Sequence, residues 1–457
     1  MNKEIINEEK AKEILENTKT PSKKAVLDVL EKAKEKKGLE LNEIGYLVNI
    51  KDKEIEQALF ETAHRIKFEI YGERIVLFAP LYVSDYCVND CKYCNFHRMN
   101  KDYARNKLTL EDVEEQVKIL LDMGHKRLLL EFGEDPVNNP IDYVVKVIEK
   151  IYSVKTDKGN IRRLNVNIAA TTVEDYKKLK SAKIGTYQLF QETFHKETYK
   201  KLHNGPKADY DRQITAHERA FKAGIDDVGI GVLFGLYDWK FEILSLISYA
   251  QYLNNNFGVG PHTISIPRFR PAPTVIFNPG YPVSDGDFLK IIAIIRLAVP
   301  YTGMIISTRE PPEIRSFAFK IGISQASAAS VTVVGGYGKK SVDSQFEISD
   351  HRSLAEVIGT LIEDKYIPSF CTACYRSGRT GEAFMDLAKP GEIHNLCRPN
   401  ALITFAEYLE DFAEDGIYEK GHGLISYYLE KIKNDAMRNQ VMKRLAEIKK
   451  GKRDLYF

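Results

Sequence analysis

"RIVLFAPLYVSDYCVNDCKYCNFH", residues 74–97, runs without a break from an apolar stretch into three cysteines. Residues 74–83 have the length and the aliphatic and aromatic content of a buried strand. Cys87, Cys91 and Cys94 follow at the spacing C-x3-C-x2-C, with Tyr93 ahead of the last. A disulfide uses two thiols, and a structural zinc site normally takes four ligands. Three thiols on the loop leaving a strand therefore point to a metal centre with one place left open. A zinc site completed by His97 is the plainer alternative.

Seven more apolar runs follow, at 127–132, 163–169, 186–191, 227–236, 262–269, 303–309 and 329–336. Amphipathic stretches separate them. In "LTLEDVEEQVKILLDMG", Thr109 is the expected N-cap, with Asp112 three residues on and Gly124 as the expected stop. The stretches 171–185 and 211–224 read as helices that also end on glycine. Eight strands alternating with helices give the α/β class and predict a complete (β/α)8 TIM-type barrel, with an open doubly wound sheet as the alternative. In such a barrel the loops after the strands build the active site, and the cysteine motif lies on the first of them.

Residues 1–72 place apolar residues at helical spacings, as in "SKKAVLDVLEKAKEKK". From about 340 the alternation stops, and two helices (401–415 and 423–450) are expected to close the chain. The division predicted is an N-terminal helical extension over 1–72, a barrel over 73–340 and a C-terminal cluster-binding helical extension over 341–457.

The 66 basic and 64 acidic residues leave a net charge of only +2, which favours neither nucleic acid nor an acidic surface as partner. No apolar run reaches the length of a membrane span, and the charged start is not signal-like. All six cysteines fall in two clusters, which is no disulfide framework. A cytoplasmic protein with clustered, reduced thiols is expected. The second cluster, in "SFCTACYRSGRTGEAFMDLAKPGEIHNLCRP" (369–399), spaces Cys371, Cys374 and Cys397 as C-x2-C-x22-C. A zinc knuckle using His394 is the alternative there.

The first motif resembles that of the radical S-adenosylmethionine (SAM) superfamily. The resemblance implies a 4Fe–4S cluster on Cys87, Cys91 and Cys94, whose open iron is chelated by SAM, and Tyr93 near the adenine. "EFGEDP" puts Phe132, Gly133 and Glu134 where the superfamily has Gly-Gly-Glu, with one glycine replaced; Glu134 is the expected partner of the methionine amine. In "QLFQETFH", after Gln191, Glu192 is the expected ribose contact, and Arg212 the contact of the methionine carboxylate.

Over nearly the whole chain the motifs are similar to those of the HydG family, the tyrosine-lyase maturases of FeFe-hydrogenase. "YQ-x2-QETFH", "PHTISIPRFRPAP", "STREPPEIR" and the C-x2-C-x22-C tail carry the likeness. It implies cleavage of the L-tyrosine Cα–Cβ bond to p-cresol and dehydroglycine. Carbon monoxide and cyanide would then form at an auxiliary 4Fe–4S cluster on Cys371, Cys374 and Cys397 with an extra labile iron (5Fe). His262 and a free L-cysteine molecule would hold that iron. Arg309 is the expected partner of the substrate carboxylate, with Ser307 beside it; a rim salt bridge from Arg309 to Glu310 or Glu313 is the alternative. The "PRFRP" alternation can turn one of Arg268 and Arg270 into the lumen. Implied partners are a reductant such as flavodoxin or ferredoxin and H-cluster scaffold or hydrogenase maturation proteins. A thiazole-biosynthesis-type tyrosine lyase, a non-catalytic iron–sulfur scaffold or carrier, and a zinc-binding interaction protein are the competing readings.

Overall fold

In the computed structural model, which describes residues 5–339 and 344–457, strand β1 (Arg74–Ser84) is buried along its whole length. It is followed by β2 (Arg127–Phe132), β3 (Arg163–Asn167), β4 (Tyr187–Gln188), β5 (Val228–Gly231), β6 (Thr263–Ser265), β7 (Gly303–Ile306) and β8 (Gln325–Ser327). Successive strands pair in parallel, and β1 pairs with both β2 and β8. The sheet therefore closes on itself as the predicted (β/α)8 barrel. Helices outside and side chains inside cover both faces, which is why the strands read as continuous apolar runs rather than alternating ones.

The helix Leu110–Asp122 starts with the expected capping box of Thr109 and Asp112, and the chain leaves it through Gly124 at φ +102°. Four helices precede the barrel: α1 (Glu8–Asn17), α2 (Lys23–Ala33), α3 (Leu41–Val48) and α4 (Lys53–Tyr71). Their buried faces join the same apolar core as the barrel helices.

The structure departs from expectation in five places. The eighth strand is "QAS" at 325–327, not the β-branched run 329–336. Ala329 takes φ +50° and Gly335 φ +62°, which turn the chain out of the sheet, and Thr332 then faces a cavity at the mouth of the barrel. The expected helix 211–224 is two short ones, Tyr210–Ile214 and Ala216–Lys222, broken at Thr215. The expected helix 423–450 is likewise two, Asp415–Glu430 and Asp435–Lys449, the second capped by the Asn434 side chain. The helix expected at 401–415 starts earlier and spans His394–Phe412.

The fifth departure is an unforeseen ninth strand, β9 (Ile367–Ser369), which pairs in parallel with Arg74–Val76 at the start of β1. Strand β2 joins β1 only from Ala79 onward, so β9 occupies the lower edge that β2 leaves free. The second cysteine cluster thereby enters at the bottom of the barrel. The expected division at 340 lies outside the described residues.

Candidate active site

Inward-facing residues recur at every second position and stack into layers. At the bottom lie Val76, Arg127, Arg163, Thr263, Gly303 and Gln325. Above them Phe78, Leu129 and Ile305 form an apolar cluster of their own. Above that belt, Pro80, Glu131, Asn167 and Ser307 face a cavity of about 230 Å³ at the C-terminal end of the strands.

Cys87, Cys91 and Cys94 line that upper cavity together with Tyr93, Gly133, Glu134 and Glu192. The motif loop is tied down locally: Cys94 N–H donates to the Cys91 carbonyl, and the Tyr93 hydroxyl meets His203 Nε2 at 2.8 Å. Gly133 answers a close approach. A Cβ there would run into the Tyr86 carbonyl oxygen and lie 3.2 Å from Cys87 Cβ. Glu134 accepts from Asn89 Nδ2 at 2.6 Å and pairs with Arg212 at 2.6 Å. Arg212, expected at the SAM carboxylate, spends one nitrogen on Glu134 and on the Ala170 carbonyl, while its Nη1 is buried with no partner. Glu192 sits at φ +68° and pairs with Lys207 at 2.8 Å.

All six cysteines are free thiols. Burial pushes Cys91 well above the ordinary thiol range and Cys94 up to about 11. A buried thiolate needs a cation beside it, so a trio of this kind fits a bound metal cluster. Among the described residues no set of His, Cys, Asp or Glu is arranged to hold a single ion. His97 pairs through Nδ1 with Asp90 at 2.7 Å, and it is not among the residues that line the cavity with the three thiols, so the structure does not bring it to them as a fourth ligand.

Arg309 and Ser307 face the same cavity. The Arg309 guanidinium lies 3.2 Å from the centre of the Phe346 ring and makes no ion pair among the described residues. Glu310 is taken by Arg268 and Arg270, so the rim salt bridge is not formed. Of that arginine pair, Arg270 lines the cavity.

At the bottom of the same lumen, Cys371, Cys374, Cys397 and His262 line a second, smaller cavity of about 60 Å³ with Arg74, Arg127 and Arg163. Burial pushes Cys371 up and Cys397 up to about 12. The His262 ring stacks on Phe384 at 3.9 Å, and its Nδ1 is buried without a hydrogen-bond partner, 3.6 Å from Asp227. Burial above all lowers His262 to about 4, so it is a neutral imidazole with a lone pair to give. Burial works against the Asp227 charge, yet its carboxyl lies below the usual range, with the always-charged Arg163 bonded to it at 2.7 Å. A thiol trio with an orphaned imidazole fits a second cluster. His394 turns away, its Nδ1 2.6 Å from the Gly391 carbonyl.

The radical SAM superfamily pattern matches residues 81–247, and that of the biotin and thiamin synthesis associated domain matches 265–367. A crystal structure of HydG, a maturase of the [FeFe]-hydrogenase, is 54% identical, with a TM-score of 0.97 over 99% of this chain and 100% of that one. The chain belongs to the HydG family. The FeFe-hydrogenase maturase HydG from Carboxydothermus hydrogenoformans is 42% identical, with a TM-score of 0.85 over 96% of this chain and 97% of that one. The 2-iminoacetate synthase of Escherichia coli (strain K12) is 28% identical over 67% of this chain and 80% of that protein. As a radical SAM enzyme of the HydG family, the chain binds a 4Fe–4S cluster and SAM. No helix among the described residues is long and apolar enough to cross a membrane.

Several cavity residues escaped sequence reading. Lys207, Asn89, Glu131 and Asn167 line the upper cavity, and Arg127 and Arg163 the lower one. For Glu131 a signal existed: in "RLLLEF" (127–132), an acid sits at the same alternate position as Arg127 and Leu129.

Proposed function

We propose that this HydG-family chain cleaves L-tyrosine at Cα–Cβ to p-cresol and dehydroglycine, and converts the latter to carbon monoxide and cyanide for FeFe-hydrogenase H-cluster assembly. One observation carries the reading: two cysteine trios, the lower one joined by an orphaned His262, stand at opposite ends of one lumen. The cluster and SAM at Cys87, Cys91 and Cys94 supply the radical that removes hydrogen from the substrate amine.

The chain's own residues bind, orient and exclude water. Tyr93, Glu134 and Glu192 hold SAM against the motif loop, with Arg212 steadying Glu134. Arg309 holds the tyrosine carboxylate with its fork of donors, and Ser307 lies beside it. The Phe78–Leu129–Ile305 belt keeps the reacting carbon away from bulk water, and the small fragment passes through it to the bottom. There Cys371, Cys374 and Cys397 hold the auxiliary cluster, and His262, with a free L-cysteine, its labile fifth iron. The chain divides as the N-terminal helices (1–72), the barrel (73–340) and the auxiliary-cluster region (341–457). A flavodoxin or ferredoxin delivers electrons, and a maturation or scaffold protein accepts the product in the cytoplasm.

The test is a product assay on reconstituted, reduced enzyme with SAM and L-tyrosine, repeated after Cys371→Ser with Cys374→Ser. The expected result is p-cresol from both proteins, with carbon monoxide lost only from the double variant. Unaltered protein that makes p-cresol without carbon monoxide or cyanide would be a lyase that releases dehydroglycine. Untouched tyrosine would sink the substrate assignment.

A further inference from the structure

Among the described residues, two ionisable side chains facing the upper cavity lack a partner of opposite charge. Among the described residues the Arg309 guanidinium has only the Phe346 ring. Glu131 makes no ion pair among the described residues, and its one hydrogen-bonding neighbour is the Asn167 amide. An α-amino acid presents the complement of both, a carboxylate and an ammonium on one carbon.

Strand register fixes where Glu131 lies. It is paired with Tyr82 on β1 and Asn167 on β3, and it faces inward as Arg127 and Leu129 do. The charges of Arg309 and Glu192 both act on it, in opposite senses. Glu192 belongs, through Lys207, to the wall beside Cys91. Glu131 thus lines one cavity with the proposed carboxylate anchor and with the cysteines at whose end hydrogen is to be removed. The apolar belt below it suits an aromatic ring and offers an ammonium nothing.

We infer that Glu131 receives the α-ammonium group of the substrate and takes one proton from it, leaving the neutral amine. The inference rests on the lyase reading above. One N–H bond breaks, its electron pair stays on nitrogen, and an O–H bond forms on Glu131; nothing is oxidised or reduced. The step is needed because an ammonium nitrogen has no lone pair to stabilise a nitrogen radical. A carboxyl in this place is suited to the task. Burial lifts it to about 8 despite the opposing effects of Arg309 and Asn167, so it accepts a proton readily. The other titratable groups lining the same cavity are Tyr82 from β1, Cys87, Cys91, Tyr93 and Cys94 on the motif loop, Glu134 on its own loop, Lys207, and Arg270 after β6.

The test is equilibrium binding of L-tyrosine to holoenzyme with SAM and no reductant, across roughly pH 6 to 8.5. Below about 8 the free enzyme carries a proton on Glu131 that the ammonium displaces. Affinity should therefore rise up to about tenfold per pH unit and level off near the top of the range. Glu131→Gln should bind weakly and with no such slope, and its p-cresol rate should fall by about 10²-fold or more. Glu131→Asp should restore the slope, and iron content together with SAM cleavage shows that each variant has folded. A Gln variant matching the wild type in both slope and p-cresol overturns the inference while the lyase reading stands. A slope lost in the Gln variant, with no p-cresol from the wild type, overturns the lyase reading and leaves the Glu131–ammonium pairing. No tyrosine binding by the wild type overturns both.

Discussion

Gly133→Ala is expected to lower reductive cleavage of SAM by about 10²-fold or more, because a displacement of about 1 Å at a reacting centre has that effect. The added methyl group would meet the Tyr86 carbonyl oxygen, with the Tyr86 carbonyl carbon 2.9 Å away and Cys87 Cβ at 3.2 Å. Two of those atoms are backbone and cannot rotate aside. Gly133 N–H also donates to the Ser84 carbonyl at 2.8 Å, so the strand end cannot retreat without losing that bond. The loop carrying Cys87 must then move, and Glu134, next in sequence, moves with it. The measurement is 5′-deoxyadenosine formed by reduced enzyme with SAM alone, beside iron content and melting temperature. A variant with full iron and undiminished 5′-deoxyadenosine would show that the loop yields and that the close approach does not matter.

Arg309→Gln is expected to remove tyrosine binding while sparing SAM chemistry. Burial lowers the Arg309 guanidinium from its ordinary range, which marks a cation held without a counter-ion. A substrate carboxylate would supply that counter-ion in a desolvated site, where removing one partner of a hydrogen-bonded charge pair costs about 2–5 kcal/mol. That corresponds to a fall in kcat/KM for L-tyrosine of about 30-fold at the least. Arg309→Lys keeps the charge but not the fork, so it should recover only part of the loss. The readout is KM for L-tyrosine against 5′-deoxyadenosine formed without substrate. If KM stays put in both variants, the carboxylate is held elsewhere, with Arg270 as the next cation on the cavity wall.

These two residues show how unevenly the sequence reveals a site. Both lie on motifs where a strand runs into its following loop, and in a barrel that position alone indicates a role. The six cysteines were legible for the same reason, since their spacing is chemistry written along the chain. Residues contributed by other strands carry no such signature. Lys207 reaches Glu192 only because a short helix folds back under the motif loop, and "NGPKADY" says nothing of it. Arg127 and Arg163 begin apolar runs, where a sequence reader takes a basic residue for a solvated strand end. Here those ends face inward onto Cys371 and its neighbours. The eighth strand was misplaced for a related reason. "SVTVV" has stronger β-branched content than "QAS", but pairing with β1 and β7 decides the matter, and the β-branched run is used to cover the mouth.

Strand β9 ties the far end of the chain to the first barrel strand. Ile367–Ser369 complete the ladder that Arg74–Val76 begin. A protein emerging from the ribosome would hold the lower half of β1 with half its backbone groups unpaired until most of the chain had been made. Such a long wait between partners slows closure and leaves a strand edge open to wrong neighbours. This late piece also brings Cys371 and Cys374. The proposed lower cluster would therefore be held by residues that reach the barrel only after its other eight strands have been made.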